Sequence, residues 1–524
     1  MKLRETFLFA IVLLIFSVMF ARATRVRYFT LALDEAHFLE SIDTTYSTGK
    51  PATFLEASVI DAVRTVVLQP ASEVCSSDLA HPRLESIGLY DRHAFPVLYP
   101  LALLRFFTGS LNILVLCAVI AFPGLLACVY VYARRFGCPP WLAGILVLLT
   151  AAHPAWSYAA FGQFYVDKLF PFFCLIYVAM LYEYLSGKRS GARTMLLIGI
   201  LAASTSERSA VMLAGVTGMA LAWYSMRRGW RRANLAPLAF TAALALYAYV
   251  YMTYVQANQD YASFGDSAMN FLKSGLHLPP ESRKFLAINF GLLFPFSIGG
   301  GMWTAMSAGS LLPNLIGTVG GAEKLGWTTH YHGPYFSLLI FAAILGAAAV
   351  YRRSRVAAGV CGALAVAQAV VLLMLNPLTP EPLLDLSAAH MRESALAQIV
   401  EFQIATGPPA GRIESAKFLR SVADLIPVGS EVSTTEGYMP ALYQHGIHTI
   451  HFYPLGLGKS RYVIVPYYTL PSEKIAYKGH VSYLGPAVAE ETNLCLTARL
   501  DAGYRVVRLF EEFPGGGTAV LALN

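Results

Sequence analysis

A succession of apolar runs, each closed by a polar or basic break, constrains this chain more than any other feature. Leu111 to Ala133 is the clearest run, and Arg134-Arg135 closes it. A bilayer crossing needs about 20 apolar residues, so this run spans on its own. Further spans are expected at about 140–157, 167–185, 195–205, 208–225 and 235–254, and near 334–351 and 356–375. The stretch 195–225 carries Glu207-Arg208 in its middle and reads as a hairpin turning there. Residues 284–318 are divided by Pro295 and Gly299-Gly300-Gly301, which gives a second hairpin. Residues 94–109 are apolar but interrupted by Pro96 and Pro100, as in a partly inserted segment. The first run, Thr6 to Ala21, follows Lys2 and Arg4 and is expected to be a retained span. The alternative is a signal peptide cleaved near Ala21-Arg22-Ala23. The expected total is about eleven spans.

Composition excludes the competing classes. Of 524 residues, 56% are apolar and 14% charged. Soluble domains run at about 45–50% and about 25%, and disorder needs still more charge. The net charge of +7 does not point to nucleic acid, because the basic residues fall in short clusters between apolar runs. These are Arg134-Arg135, Lys188-Arg189 with Arg193, the Arg227/Arg228/Arg231/Arg232 group and Arg352/Arg353/Arg355. In this span count all four fall on one side, which the positive-inside rule makes cytoplasmic. Arg22, Arg25 and Arg27 fall on the other side and disagree.

Two polar regions are then expected outside, residues 22–93 and the tail after 375. The tail has a helical pattern over Ile413 to Ile426, with Phe418, Val422, Leu425 and Ile426 on one face. Val463-Ile464-Val465, Tyr504 to Phe510 and Thr518 to Leu523 read as strands. The expected architecture is an α-helical polytopic membrane protein with a C-terminal soluble α/β domain. Residues 1–375 form the transmembrane part, with the outer loop 22–93, and 376–524 form the extracytoplasmic domain. Of the seven cysteines, only Cys75 and Cys495 lie in these outer regions, and whether they pair is left open.

Asp34-Glu35 is the most informative pair. It stands shortly after the first run, in Leu33-Asp34-Glu35-Ala36-His37-Phe38, and the segment continues to Asp43 and Thr48-Gly49-Lys50. It is either an acidic helix start or a base placed at the membrane surface. A hydroxyl acceptor that attacks a sugar on a lipid phosphate needs such a base. The phosphate leaves readily and mainly needs cations, so a second acid is unnecessary. Candidate phosphate contacts are Lys168, beside Asp167, and Arg208, beside Glu207. Arg92 and His93 precede the Pro-broken run and are further candidates. The alternatives are a snorkelling lysine and a surface ion pair. His330-Tyr331-His332 is a weak metal signal. Walker, GxGxxG, GxSxG and HExxH elements are missing from any fitting context. No tightly bound organic cofactor is implied, and a divalent metal is left open.

The order of these features resembles GT-C type membrane glycosyltransferases, whose early outer loop carries an Asp-Glu pair. It is closer to an uncharacterised family of bacterial polytopic membrane proteins grouped with the GT-C fold. Arg92-His93-Ala94-Phe95-Pro96-Val97-Leu98-Tyr99-Pro100-Leu101 resembles a "HFSPILYLLAP" segment, and Ser206-Glu207-Arg208-Ser209-Ala210 a "KEDAAL" turn. His330-Tyr331-His332-Gly333-Pro334 resembles a "QYxAxxxP" entry to a late span. Ile426-Pro427-Val428-Gly429-Ser430-Glu431-Val432-Ser433 resembles an "IPxxAxVxAT" start of the tail. The family has Phe-His where Asp167-Lys168 stands and Lys-Glu-Asp where Ser206-Glu207-Arg208 stands.

The resemblance implies glycosyl transfer from a polyprenyl-phosphate sugar to an acceptor on the outer face of the bacterial cytoplasmic membrane. Asp34 is then the general base and Glu35 its orienting neighbour. Arg92, His93, Lys168, Glu207 and Arg208 form the substrate-binding set, and no metal ligand is assigned. The partners are membrane lipids and the lipid-linked donor, without nucleic acid; the oligomeric state is not read. A secondary transporter or lipid flippase, and a non-catalytic envelope scaffold with a retained GT-C-like fold, are the competing readings.

Overall fold

A computed structural model describes residues 3–27, 33–62, 70–80, 87–88, 95–161, 165–188, 191–251, 253, 272–273, 278, 280–291, 293, 296–316, 333–374, 417–470, 474–477, 490–513 and 515–524. The chain divides into two compact units. The first comprises Met1–Thr24, Tyr90–Val97 and Leu114–Pro408, and the second Arg25–Leu89, Leu98–Ile113 and Pro409–Asn524. The boundary expected near 375 lies outside the described residues.

The first unit is helical. Among the described residues, 6 helices are long and apolar enough to cross a membrane. They cover Glu5–Arg22, Ser110–Arg135, Val166–Leu185, Glu207–Arg228, Arg232–Val250 and Tyr335–Arg353. This is a multi-pass membrane protein. Three shorter apolar helices accompany them, Pro140–Ala152, Ala192–Ala203 and Arg355–Val370. The difference from about eleven spans has local causes. The run at 140–157 is split at His153-Pro154 into Pro140–Ala152 and Pro154–Phe161, because proline has no amide to continue the helical ladder. The stretch 284–318 forms Pro280–Gly291 and Met302–Ile316 with a 3₁₀ turn, Ser297–Gly300, between them. The expected spans at 195–205 and 356–375 are present as two of the shorter helices, and the Pro-broken run at 94–109, not counted as a span, gives the helix Leu98–Leu103 and the turn Leu104–Phe106.

Charges fix the helix ends. Ser206 caps Glu207–Arg228 by accepting from Ser209 N, with Glu207 in the first turn and Arg227 and Arg228 in the last. Acids at the start and bases at the end both suit the helix dipole. The helix Leu3–Arg27 runs unbroken through Ala21-Arg22-Ala23. Glu5 accepts from Arg134 Nε at 2.6 Å and Nη2 at 3.1 Å, and from the Tyr130 hydroxyl at 2.8 Å. Phe9 stacks on Tyr130. Arg135 makes the same two-pronged contact with the buried Glu183, at 2.6 and 2.7 Å.

Small residues set the closest packing. A Cβ on Gly346 would lie 1.8 Å from the Phe296 carbonyl oxygen, and one on Gly300 would lie 2.5 Å from the Ala342 Cβ. The turn Ser297–Gly300 thus meets the helix Gly333–Arg353 backbone to backbone, the approach that small residues allow in membranes. Pro295 lies outside the described residues.

The second unit holds the strands: β1 (Ala52–Thr53), β2 (Ile87–Gly88), β3 (Glu431–Thr434), β4 (Thr449–Phe452), β5 (Tyr462–Thr469), β6 (Ile475–Tyr477), β7 (Tyr504–Phe513) and β8 (Gly516–Leu523). β1 and β2 form a small antiparallel pair. The main sheet has the order β4-β3-β5-β8-β7, with β6 also on β5. β3 is parallel to β4 and β5, while β5, β8 and β7 pair antiparallel. Val463, Ile464 and Val465 are fully buried in succession, as a central strand covered on both faces requires. The expected helix appears at 417–423 and buries Leu419, Val422 and Ala423, with Ile426 buried just beyond it.

The early segment and the tail are joined within this unit. Cys75 and Cys495 form a disulfide, 420 positions apart. Phe452 N donates to Ser58 Oγ at 2.6 Å, Gly456 N to Leu79 O at 2.7 Å, and Arg499 Nη2 to Ser77 O at 2.9 Å.

Candidate functional site

Two of the spans begin with adjacent opposite charges. Val166–Leu185 opens on a 3₁₀ turn holding Asp167 and Lys168, and Glu207–Arg228 opens on Glu207 and Arg208. The helix Ala192–Ala203 returns between them, so both charged starts fall at the same end of the helices. The basic clusters at Lys188 and at Arg227-Arg228 mark the opposite end.

The structure brings these four charges together. Arg208, Lys168 and Glu207 all act electrostatically on the Asp167 carboxyl. Lys168 is buried, and its Nζ donates to the Ala159 carbonyl at 3.1 Å. Glu207 is buried too, with Arg208 Nε 3.9 Å from its Oε1. The Arg208 side chain remains 33% exposed. A guanidinium is a planar, permanently charged group of the kind that binds oxyanions. Isolated charges at membrane depth are expensive, whereas a balanced cluster is tolerated. Glu207 also acts on the Tyr247 hydroxyl, which is buried without a hydrogen-bond partner among the described residues. On the side of the turn, Val97 N donates to Ser204 O at 2.9 Å. Arg92 and His93 themselves lie outside the described residues, as do His330 and His332.

Asp34 and Glu35 stand in the first turn of the helix Leu33–Thr48, where the dipole favours acids. Their side chains are outside the description. Two further acids of that helix are described. Glu40 is buried and accepts from Thr53 Oγ1 at 2.7 Å and Leu55 N at 3.1 Å. Burial raises its carboxyl above the usual range, against the pull of those bonds and of His37. Asp43 accepts from Arg105 Nε at 2.7 Å, Ser110 Oγ at 3.3 Å and the Tyr443 hydroxyl at 3.1 Å. Burial, and then the charges of Asp43 and Glu40, push the Tyr443 phenol far up.

In the tail, His451 Nε2 meets Glu431 Oε1 at 2.8 Å, with Lys459 Nζ 3.4 Å from the same oxygen. Burial lowers the His451 pKa, opposed by Glu431. Among the described residues no three His, Cys, Asp or Glu side chains group as a metal site.

The sequence reading singles out Lys168, Glu207 and Arg208, because charges inside apolar runs stand out. It assigned no role to Glu40, Asp43, Arg105 or Tyr443. Glu40 and Asp43 could have been read from their three-residue spacing on one helix face, whereas nothing local marks Tyr443.

No protein-family model matches the chain, and no curated protein does. Solved structures do. ArnT from Cupriavidus metallidurans bound to undecaprenyl phosphate is similar at 12% identity and a TM-score of 0.43, over 85% of this chain and 86% of that one. The Archaeoglobus fulgidus oligosaccharyltransferase in its apo form is similar at 10% identity and a TM-score of 0.31, over 96% of this chain and 80% of that one.

Proposed function

We infer that this protein is a membrane glycosyltransferase that moves a sugar from a polyprenyl-phosphate carrier to an acceptor at the outer face of the cytoplasmic membrane. One observation carries the reading: the charges of Lys168 and Arg208, which open two different spans, both act on Asp167 at the helix ends away from the basic clusters. A lipid phosphate meets the protein at that depth, and cations there both bind it and stabilise it as a leaving group. Arg208 supplies a partly exposed planar cation and Lys168 a buried one. Asp167 and Glu207 hold the two cations in place when no anion is bound. Asp34 is the base that takes the acceptor proton, and Glu35 orients it; Arg92 and His93 complete the substrate contacts. The Cys75–Cys495 disulfide supports an extracytoplasmic second unit, because disulfides persist in oxidising compartments. The basic clusters support the same orientation.

The test is native mass spectrometry of the detergent-purified protein with undecaprenyl-phosphate sugars. Wild type and Asp34→Asn are both expected to bind the lipid. Only wild type should lose the sugar when candidate acceptors are added. A folded wild type that binds none of the lipids overturns the reading.

A further inference from the structure

We propose that Tyr443, a residue of the tail, is a positioning residue for the helix that bears Asp34 and Glu35. The inference rests on the transferase reading and deepens it, because it gives the tail a part in the reaction.

The helix Leu33–Thr48 is held through its second half by two carboxylates. Glu40 takes Thr53 Oγ1 and Leu55 N, which start the next helix, Phe54–Ala62. Asp43 takes three donors from two other parts of the unit: Arg105 from the end of the Pro-broken run with Ser110 just beyond it, and Tyr443 from the short helix Met439–Gln444. Arg105 alone would neutralise the charge of Asp43. The Tyr443 hydroxyl adds no charge. It adds a direction, since it occupies the same oxygen, Oδ2, as Ser110 while Arg105 occupies Oδ1. Both oxygens are engaged, and Tyr443 is the donor among the three that ties the carboxylate to the tail.

Tyr443 is itself well anchored. It is buried, its ring meets His448 edge-on at 4.8 Å, and Met439, Pro440, Ala441 and Leu442 beside it are buried. Positions 34 and 43 are nine residues apart, two and a half turns of about 3.6 residues each. They therefore lie on opposite sides of the helix. The tail grips the back of the helix, and the candidate base stands on the front, one rigid element away. A rotation of the helix by a few degrees at Asp43 moves the reacting end, and misplacement of about 1 Å costs up to about a hundredfold in rate.

The experiment uses the full chain in nanodiscs. Turnover of undecaprenyl-phosphoryl glucose, mannose, galactose and aminoarabinose is measured with the same candidate acceptors as in the binding test. Amide exchange of residues 33–48 is followed in parallel. Tyr443→Phe keeps the ring and deletes one hydroxyl. It should lower kcat about tenfold with the donor KM changed less than about twofold, and it should speed exchange in 33–48. Arg105→Lys, which keeps the charge but loses the fixed fork, should act in the same direction and serves if Tyr443→Phe fails to fold. An active wild type whose kcat survives both substitutions overturns the positioning role and leaves the transferase reading intact. A wild type without turnover tells against the transferase reading. The positioning role is then judged on exchange, and unchanged exchange in 33–48 overturns it.

Discussion

Lys168 and Arg208 differ in what each leaves available. Lys168 is buried and donates to the Ala159 carbonyl, whereas Arg208 keeps a third of its side chain exposed. The lysine therefore supplies mainly field and the arginine mainly contact. Hydrogen bonds to charged groups contribute about 1.5–3 kcal/mol, so Arg208→Ala should weaken undecaprenyl phosphate binding by about ten- to a hundredfold in a detergent titration. Arg208→Lys should recover only part of it, because a point charge replaces a planar fork. Equal affinity for wild type and Arg208→Ala would remove Arg208 from the site. His451 carries a second prediction at this scale. Its pKa is lowered from 6.5 by burial, so on acidification the unfolded chain takes up the proton first. Its contribution to stability is full above pH 6.5 and is lost as pH falls through the folded value. The charged groups facing it are Glu431, which opposes the shift, and Lys459, which adds to it. The melting temperature should fall between about pH 7 and pH 5, and His451→Gln should flatten that slope. A slope that is the same in both proteins would assign the acid sensitivity elsewhere.

At the scale of elements, glycine marks where helices touch and where they do not. The Cβ of Gly346→Ala would sit 1.8 Å from the Phe296 carbonyl oxygen, and a backbone atom cannot swing aside. The substitution should cost about 3 kcal/mol, the upper end for overpacking, and separate the turn Ser297–Gly300 from its helix. Gly215 lies in the helix Glu207–Arg228 with nothing within 4 Å of its Cβ position, so Gly215→Ala should be neutral or slightly stabilising. Thermal shifts of the two variants in detergent would show the contrast, and similar shifts would refute the close approach. The same glycines show what the sequence can and cannot reveal. Gly299-Gly300-Gly301 announces a break between two helices, and the structure has one. It does not announce that Ala342 and Gly346 are the residues met there, because that contact depends on packing between distant segments. The hairpin expected to turn at Glu207-Arg208 turns just before them, at 204–206, and those two residues open the second helix; the strands at 463–465, 504–510 and 518–523 are legible from local period, whereas β3, β4 and β6 are not. The split of 140–157 at His153-Pro154 was legible in principle, since proline ends a helix. The apolar run continued through it and was read as one span.

For the whole molecule, the sequence divides by polarity, and the structure divides differently. Polarity set 22–93 with the spans as a loop and the tail apart. The structure joins Arg25–Leu89, Leu98–Ile113 and Pro409–Asn524 in one unit. What joins them is a handful of single contacts, such as Ser58 to Phe452, Ser77 to Arg499 and Asp43 to Tyr443, and none has a period or motif that composition could register. Only the cysteines gave a sign. The Cys75–Cys495 bond joins positions 420 apart, and such bonds contribute about 2–4 kcal/mol, largely by restricting the unfolded chain. Cys75→Ala should therefore lower the stability of the second unit by about that amount, read as earlier proteolysis of the tail on heating. The bond also makes orientation measurable in intact cells. With the five other cysteines, Cys117, Cys128, Cys138, Cys174 and Cys361, replaced by alanine, a membrane-impermeant thiol reagent should label neither remaining cysteine at first. After an impermeant reductant it should label both. Labelling without reductant would deny the disulfide. Labelling only after the membrane is opened would place the second unit in the cytoplasm, where thiols stay reduced, and would overturn a transferase that works on the outer face.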